Sequence, residues 1–268
     1  MNRWLAGLVC ILAVTNAQAT DGKRELEYAE EITKTLTVGQ IVRLVSDQRR
    51  FLGIYTETER NVHEGAAIIL HDKGGHPDQK PLVHELRTRL PRHKWATLSL
   101  QMPLRELGAG NEAYYALFPE IVPRIRAAID YLTQAGTAEI VLVGHGLGGL
   151  MALYAEHQFP ARFKAVVAIG LPVPNTQNTS AQTLEFIQRL KIPLLDIYGE
   201  LDTSEVTGSA LQRRLAGKEN PFYRQIRITD EGRLYLHDEG LIVKRVYSWL
   251  RRVAEPFQRQ KDSEEKDR

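Results

Sequence analysis

Short, almost wholly apolar runs that alternate with helix-like segments constrain this chain more than any other feature. Residues 66–70, 96–100, 140–143, 165–169 and 193–198 are each one strand long and carry little that water would solvate. Such a run has no solvent face. It belongs in a sheet covered on both sides, and sheets of that kind are built from parallel strands joined by crossover helices. Helical patterns fall in the intervals, at 80–90, 114–134, 148–157, 181–190, 204–215 and 241–254, and a further strand pattern lies at 223–228. Two earlier strand-like runs, 41–46 and 51–56, flank the polar connection Asp47-Gln48-Arg49-Arg50 and read as a hairpin. The expectation is an α/β fold: about eight strands, mostly parallel, with helices on both faces and an antiparallel hairpin first. A charged, helix-prone stretch, 22–36, precedes the hairpin.

The ends read differently from the middle. Arg3 followed by the apolar stretch 4–14 and by Ala17-Gln18-Ala19 has the form of an export leader with its cleavage site, so the mature chain would begin at Thr20. The apolar stretch is too short to span a bilayer, and Val9 is bulky where a lipidation signal wants a small residue. Cys10, the single cysteine, lies inside the leader, which leaves the mature chain without thiol or disulfide. The chain then divides into a signal peptide at 1–19, an N-terminal helical segment at 20–39, one α/β domain at 40–255, and a charged, disordered tail at 256–268. No later run is long and apolar enough for a membrane span. A net charge of +2, with no basic stripe interleaved with aromatics, argues against nucleic acid as a partner.

Residues 139–150, EIVLVGHGLGGL, carry the sharpest local signal. A strand ends in Gly144-His145-Gly146-Leu147-Gly148 and a helix begins, the layout of the nucleophile elbow G-x-S-x-G with Gly146 at the serine position. The elbow residue has a strained backbone that costs an ordinary residue about 1–3 kcal/mol. Glycine takes it freely, so Gly146 keeps the turn while removing the hydroxyl. Gly144 and Gly148 mark the close approach of strand and helix.

Three further stretches belong with this one: LHDKGGHPD at 70–78, WATLSLQMP at 95–103 and DIYGELD at 196–202. Together the four resemble the α/β-hydrolase superfamily over nearly all of the mature chain. More narrowly, the sequence is similar to a group of exported proteobacterial proteins of that fold without assigned function, which implies the bacterial periplasm. The resemblance implies roles residue by residue. Gly146 is a vacant nucleophile position and Asp202 supplies the acid. His237, the histidine after the eighth strand, is the base, although the superfamily's histidine lies upstream, nearer Gly232-Arg233. The Leu147 N–H is one oxyanion donor, and the loop of His71 and Asp72 offers the other, with Lys73 offsetting the Asp72 charge. His145 stands beside the elbow with its side chain turned from the reaction centre.

Other readings of these residues are weaker. Gly144, Gly146 and Gly149 fit a dinucleotide fingerprint literally, but they sit mid-chain, and 165–169 leads into Gly170-Leu171-Pro172 with no acid for a ribose. Ser99 reads as a packed strand serine, and Thr203 and Ser204 as caps of the next helix with Glu205 in its first turn. His71 and His76 lack a third ligand nearby, so no metal and no cofactor is expected. Two kinds of function remain. One is an exported binding or interaction protein, a pseudo-hydrolase, with a small molecule or a protein as its unidentified partner. The other is an enzyme that uses an Asp202–His237 dyad on a small carbonyl or ester without an acyl-enzyme. The missing serine favours the first.

Overall fold

A computed structural model of the chain describes residues 20–59, 64–238 and 240–266, with side chains as far as Val253. The proposed leader, Cys10 included, lies outside the described residues.

The chain enters through α1 (Gly22–Thr35), capped by the Asp21 side chain, which accepts from the Arg24 N–H. Its inner face, Ala29 and Ile32, packs on Leu52 and Ile54 of the hairpin that follows. That hairpin, β1 (Gln40–Ser46) and β2 (Arg49–Thr56), turns on Asp47 and Gln48 alone, both at positive φ (47° and 65°). The connection is two residues rather than the four expected. Arg49 and Arg50 are drawn into the ladder opposite Ser46 and Val45, because a tight turn with two positive φ values matches the strands' twist.

Alternating units follow: β3 (Gly65–Leu70), α2 (Leu82–Arg89), β4 (Trp95–Leu100), α3 (Asn111–Tyr115), α4 (Phe118–Gln134), β5 (Ile140–His145), α5 (Leu147–Gln158), β6 (Ala165–Ile169), α6 (Thr183–Arg189), β7 (Leu194–Leu201), α7 (Ser204–Thr207), α8 (Ala210–Ala216), β8 (Tyr223–Gly232) and α9 (Leu241–Lys266). The described residues form an eight-stranded sheet in the order β1-β2-β4-β3-β5-β6-β7-β8, with β1–β2 and β2–β4 antiparallel and the rest parallel. This is the α/β-hydrolase fold that the strand pattern and motifs led one to expect.

The period of two along each strand feeds two cores. Leu142 of β5 joins Ile68, Leu98, Phe118, Leu150 and Phe186 on the α4–α5–α6 side. Its neighbours Val141 and Val143 join Leu86, Leu195, Val246 and Trp249 on the α2–α9 side. Each fully buried aliphatic side chain contributes about 1.5–3 kcal/mol. A buried ion pair, Arg213 Nε to Asp196 Oδ2 at 2.8 Å, ties α8 to β7, and Tyr223 and Gln225 of β8 donate to the same oxygen at 2.9 Å each.

Three elements depart from expectation. The single helix expected at 114–134 is two, because Pro119 in the first turn of α4 cannot donate a backbone hydrogen bond and starts a new helix. The helix expected at 204–215 breaks at Gly208-Ser209. There the Glu205 and Val206 carbonyls accept from the Ser209 hydroxyl, and Arg213 also donates to Val206. At the far end, α9 continues to Lys266 where a disordered tail was expected. Glu, Lys, Gln and Arg are good helix formers, so a charged sequence can extend a helix already nucleated on the core.

The topology also places the site. The chain steps from β3 to β4 on one side, then returns to place β5 on the other side of β3. Loops leaving β3 and β5 therefore diverge, opening a crevice at the carboxyl ends of the strands. His71-Asp72 leaves β3 into that crevice, and Gly146-Leu147 leaves β5 beside it, with Leu70 paired to Gly144.

Candidate functional site

The elbow has its expected backbone. Gly146 sits at φ 55° and ψ −121°, between the end of β5 and the first turn of α5, and its N–H donates to the Ile169 carbonyl at 2.7 Å. Side chains at Gly144 and Gly148 would overlap the Gly148 carbonyl and the Leu70 and His71 carbonyls, respectively, as close packing of strand and helix requires.

What stands over the elbow is not what the resemblance implied. A Cβ on residue 146 would lie 2.7 Å from Asp72 Oδ2 and would overlap Oδ1 and Cγ. The Asp72 carboxylate thus fills the volume that a side chain at residue 146 would take. Its Oδ1 accepts from the Leu147 N–H at 2.8 Å, the donor that an oxyanion hole would offer to substrate. Its Oδ2 accepts from Arg233 Nε at 3.0 Å and from Arg233 Nη2 as well. Asp72 therefore takes up the Leu147 N–H with its own carboxylate. Burial by itself would raise this carboxyl, but the charges of His145 and Arg233 and the N–H groups of Leu147 and Lys73 outweigh it and hold it below the ordinary carboxylate range. A helix N-terminus favours any anion placed on it, and here the anion is part of the chain. The Lys73 ammonium donates to Asn111 Oδ1 at 2.7 Å, so Lys73 reaches Asp72 through its backbone N–H.

His71 is a structural histidine. It is 1% exposed, its Nδ1–H donates to the Asp72 carbonyl at 2.7 Å, and its Nε2 accepts from the Met102 N–H at 2.9 Å. Burial pushes its imidazole down to about 3. The ring pins the β3 loop and thereby aims the Asp72 side chain at the elbow. His145 is buried too, and its Nε2–H donates to the Arg233 carbonyl at 2.9 Å. Arg233 is consequently fixed from both sides, at its backbone by His145 and at its guanidinium by Asp72.

Asp202 and His237 are not brought together. Asp202 is buried, and its Oδ1 accepts from the Thr203 N–H at 2.7 Å. Its Oδ2 is buried and has no hydrogen-bond partner among the described residues. The His237 side chain is 81% exposed, and its Nδ1 faces Glu231 at 3.9 Å. His237 lies in the turn before α9, beyond the loop position that Arg233 occupies. The residue that sequence reasoning passed over is thus Arg233. Its signal was present, because Gly232-Arg233 is where the superfamily's histidine was expected and an arginine stands there instead.

Of the remaining candidates, Ser99 is buried, His76 is half-buried and Thr203 is exposed. The Ser99 hydroxyl is fully buried and donates to the Pro77 carbonyl at 2.7 Å. Thr203 precedes α7 but makes no side-chain cap bond. His76 accepts from the Asp78 N–H at 3.2 Å and lies 4.9 Å from the Tyr28 ring. Among the described residues, no group of three or more His, Cys, Asp or Glu could hold a metal ion.

Above the Asp72–Arg233 pair is a cleft of about 360 Å³, lined among others by Lys73, Asn111, Tyr115, Thr203, Glu205 and Arg233. That volume suits a small molecule, and the lining carries both signs of charge.

The sequence matches the family described as protein of unknown function (DUF3530) over residues 14–120 and 112–252. The chain belongs to this family. No curated protein matches it. Among solved structures, this member of the family is similar to Est1E from Butyrivibrio proteoclasticus, at 15% identity over 78% of this chain and 97% of that one, with a TM-score of 0.64. It is also similar to the esterase domain of a Rhodothermus marinus protein, at 19% identity over 80% and 98%, with a TM-score of 0.61. An esterase from Pyrococcus furiosus gives 15% identity over 83% and 94%, with a TM-score of 0.65. At these identities the likeness is one of fold. No described helix is long and apolar enough to cross a membrane.

Proposed function

We propose that this chain is an exported, non-catalytic member of the hydrolase fold, a binding protein whose old reaction centre is closed by its own side chains. One observation carries the reading: the Asp72 carboxylate stands where a nucleophile's side chain would be and takes the Leu147 N–H for itself. Losing a triad nucleophile costs a serine hydrolase several orders of magnitude in rate, and what survives comes largely from the oxyanion hole. Here the hole is filled as well. The dyad alternative lacks its base, because His237 faces Glu231 and solvent instead of Asp202. Binding then falls to the cleft, which would take a small polar molecule between Lys73, Tyr115 and Glu205.

The test is hydrolysis of a short-chain activated ester by the chain from Thr20 onward. Wild type is expected to be silent, and so is Gly146→Ser, whose new side chain collides with Asp72 and lowers the melting temperature. Turnover is expected only when Gly146→Ser is combined with Asp72→Gly and Arg233→His, which clear the hole and return an imidazole to the β8 loop. Saturable turnover by wild type that Asp72→Asn abolishes would show an enzyme using Asp72 and would end the binding reading.

A further inference from the structure

Thr20, the first residue of the mature chain on the Ala17-Gln18-Ala19 reading, is held at its backbone and its side chain. Its backbone N–H donates to Glu120 Oε1 at 3.1 Å. Its hydroxyl donates to a Glu25 carboxylate oxygen and accepts from the Leu104 N–H at 2.7 Å. One residue on, the Asp21 N–H donates to the Leu104 carbonyl at 2.7 Å, and the Asp21 side chain caps α1. Chain ends are ordinarily loose unless something ties them down. This position is tied to α1, to α4 and to the stretch after β4.

Glu120 gives the arrangement its meaning. It is half-buried on α4, and the charged groups around it are Glu25 from α1, Arg49 from β2 and Arg124 one turn along α4. Arg124 is already committed: its two terminal nitrogens donate to Glu25 at 3.0 and 2.8 Å, and one of them also donates to the Gln101 carbonyl at 2.7 Å. Among the described residues no ion pair includes Glu120, and burial pushes its carboxyl up. In the uncut chain Thr20 N is a peptide amide, which offers one hydrogen and no charge. Hydrolysis of the Ala19–Thr20 bond by a leader peptidase consumes one water, leaves a carboxylate on Ala19, and converts that nitrogen into an α-ammonium.

We propose that Glu120 is the counter-ion of the amino terminus created at Thr20, so that leader removal completes a salt bridge the precursor cannot form. The inference rests on the leader reading and is independent of the cleft. It makes cleavage a step in the protein's own stabilisation. The mature form holds α1 against α4 through two adjacent ion pairs, Arg124–Glu25 and the terminus with Glu120, where the precursor has the first and only a neutral amide hydrogen bond at Glu120.

Sequencing the amino terminus of the exported protein separates the leader from the socket. Thr20 is expected first, and any other first residue removes the leader reading and the proposal together. Four purified chains then address the pairing: one beginning at Thr20, one beginning at Ala19, and each with Glu120→Gln. At pH 6 the chain beginning at Thr20 is expected to melt about 2–4 °C above the chain beginning at Ala19, the shift that one modest ion pair gives a domain of this size. Glu120→Gln should abolish that difference. The α-amino pKa, followed by NMR, should lie above its ordinary value of about 7.7–8.0 and return to it in Glu120→Gln. An equal loss in both frames, or an unshifted α-amino group, would show Glu120 to be a simple amide acceptor and overturn the pairing.

Discussion

Asp72 and Asp202 are both buried acids beside the cleft, yet their surroundings are opposite. Asp72 is saturated, with one oxygen on the Leu147 N–H and the other on the Arg233 guanidinium. Asp202 keeps Oδ2 buried and, among the described residues, without a hydrogen-bond partner. An acid in its position orients a histidine in a working triad. The unpartnered oxygen is a cost here, because a buried polar atom with no hydrogen bond is unfavourable by about 1–3 kcal/mol. Asp202→Asn keeps the acceptor for Thr203 and removes the charge. It should leave stability unchanged or raise it by about 1 kcal/mol, measured by urea denaturation. A loss of more than that would mean that Asp202 has an electrostatic duty that its hydrogen bonds do not show. The turn at Gly146 is legible in the sequence because it sits at a fixed offset from a strand end. The partner of Asp72 is not, because Asp72 and Arg233 are 161 positions apart and only packing makes them neighbours.

At the scale of elements, the elbow survives because strand and helix geometry depend on Gly144, Gly146 and Gly148, none of which needs a serine between them. The loops that leave β3 and β8 decide what the elbow faces. The first is fastened by His71 to the Met102 N–H, the second by His145 to the Arg233 carbonyl, and the two loops meet in the Asp72–Arg233 pair. Arg233→Ala should therefore loosen both loops together. Removing one partner from a fully buried pair costs about 3–5 kcal/mol. The Arg233 side chain is 33% exposed, so solvent screening brings the expected loss down to about 1–2 kcal/mol. Hydrogen exchange is the decisive reading: protection should fall at Leu147 and in both loops, while the β5 and β6 amides stay unchanged. Protection lost in the β8 loop alone would mean that the pair does not couple the loops.

For the molecule as a whole, two buried groups shape stability against pH in opposite senses. His71 is held neutral, with its imidazole pushed from an ordinary 6.5 down to about 3 by burial. Its contribution is complete above pH 6.5 and is lost as pH falls toward 3. Glu156 on α5 is pushed by burial from 4.5 up to about 7. Its contribution is complete below pH 4.5 and is lost as pH rises through 7. Between pH 4.5 and 6.5 the two slopes offset one another. Glu156→Gln should match wild type below pH 4.5, exceed it above pH 7, and show a steeper rise across the interval. Denaturation midpoints at four or five pH values would check this, and a gain independent of pH would mean that Glu156 is not the group responsible.

The sequence by itself determined the sheet, the hairpin that opens it and the glycine turn after β5, because these depend on period, strand length and turn chemistry within short windows. It misjudged the division of two helices and the state of the last segment, where local breakers and helix propensity compete with the overall pattern. The content of the site was decided only in three dimensions. His237 had the right type and the right place in chain order, yet its turn leaves it in solvent. The resemblance implies an anion hole at Asp72, and the loop that His71 pins turns its carboxylate onto the Leu147 N–H. Side-chain direction at the mouth of a sheet is set by loops that converge from distant parts of the chain, and no spacing within any one of them encodes that convergence.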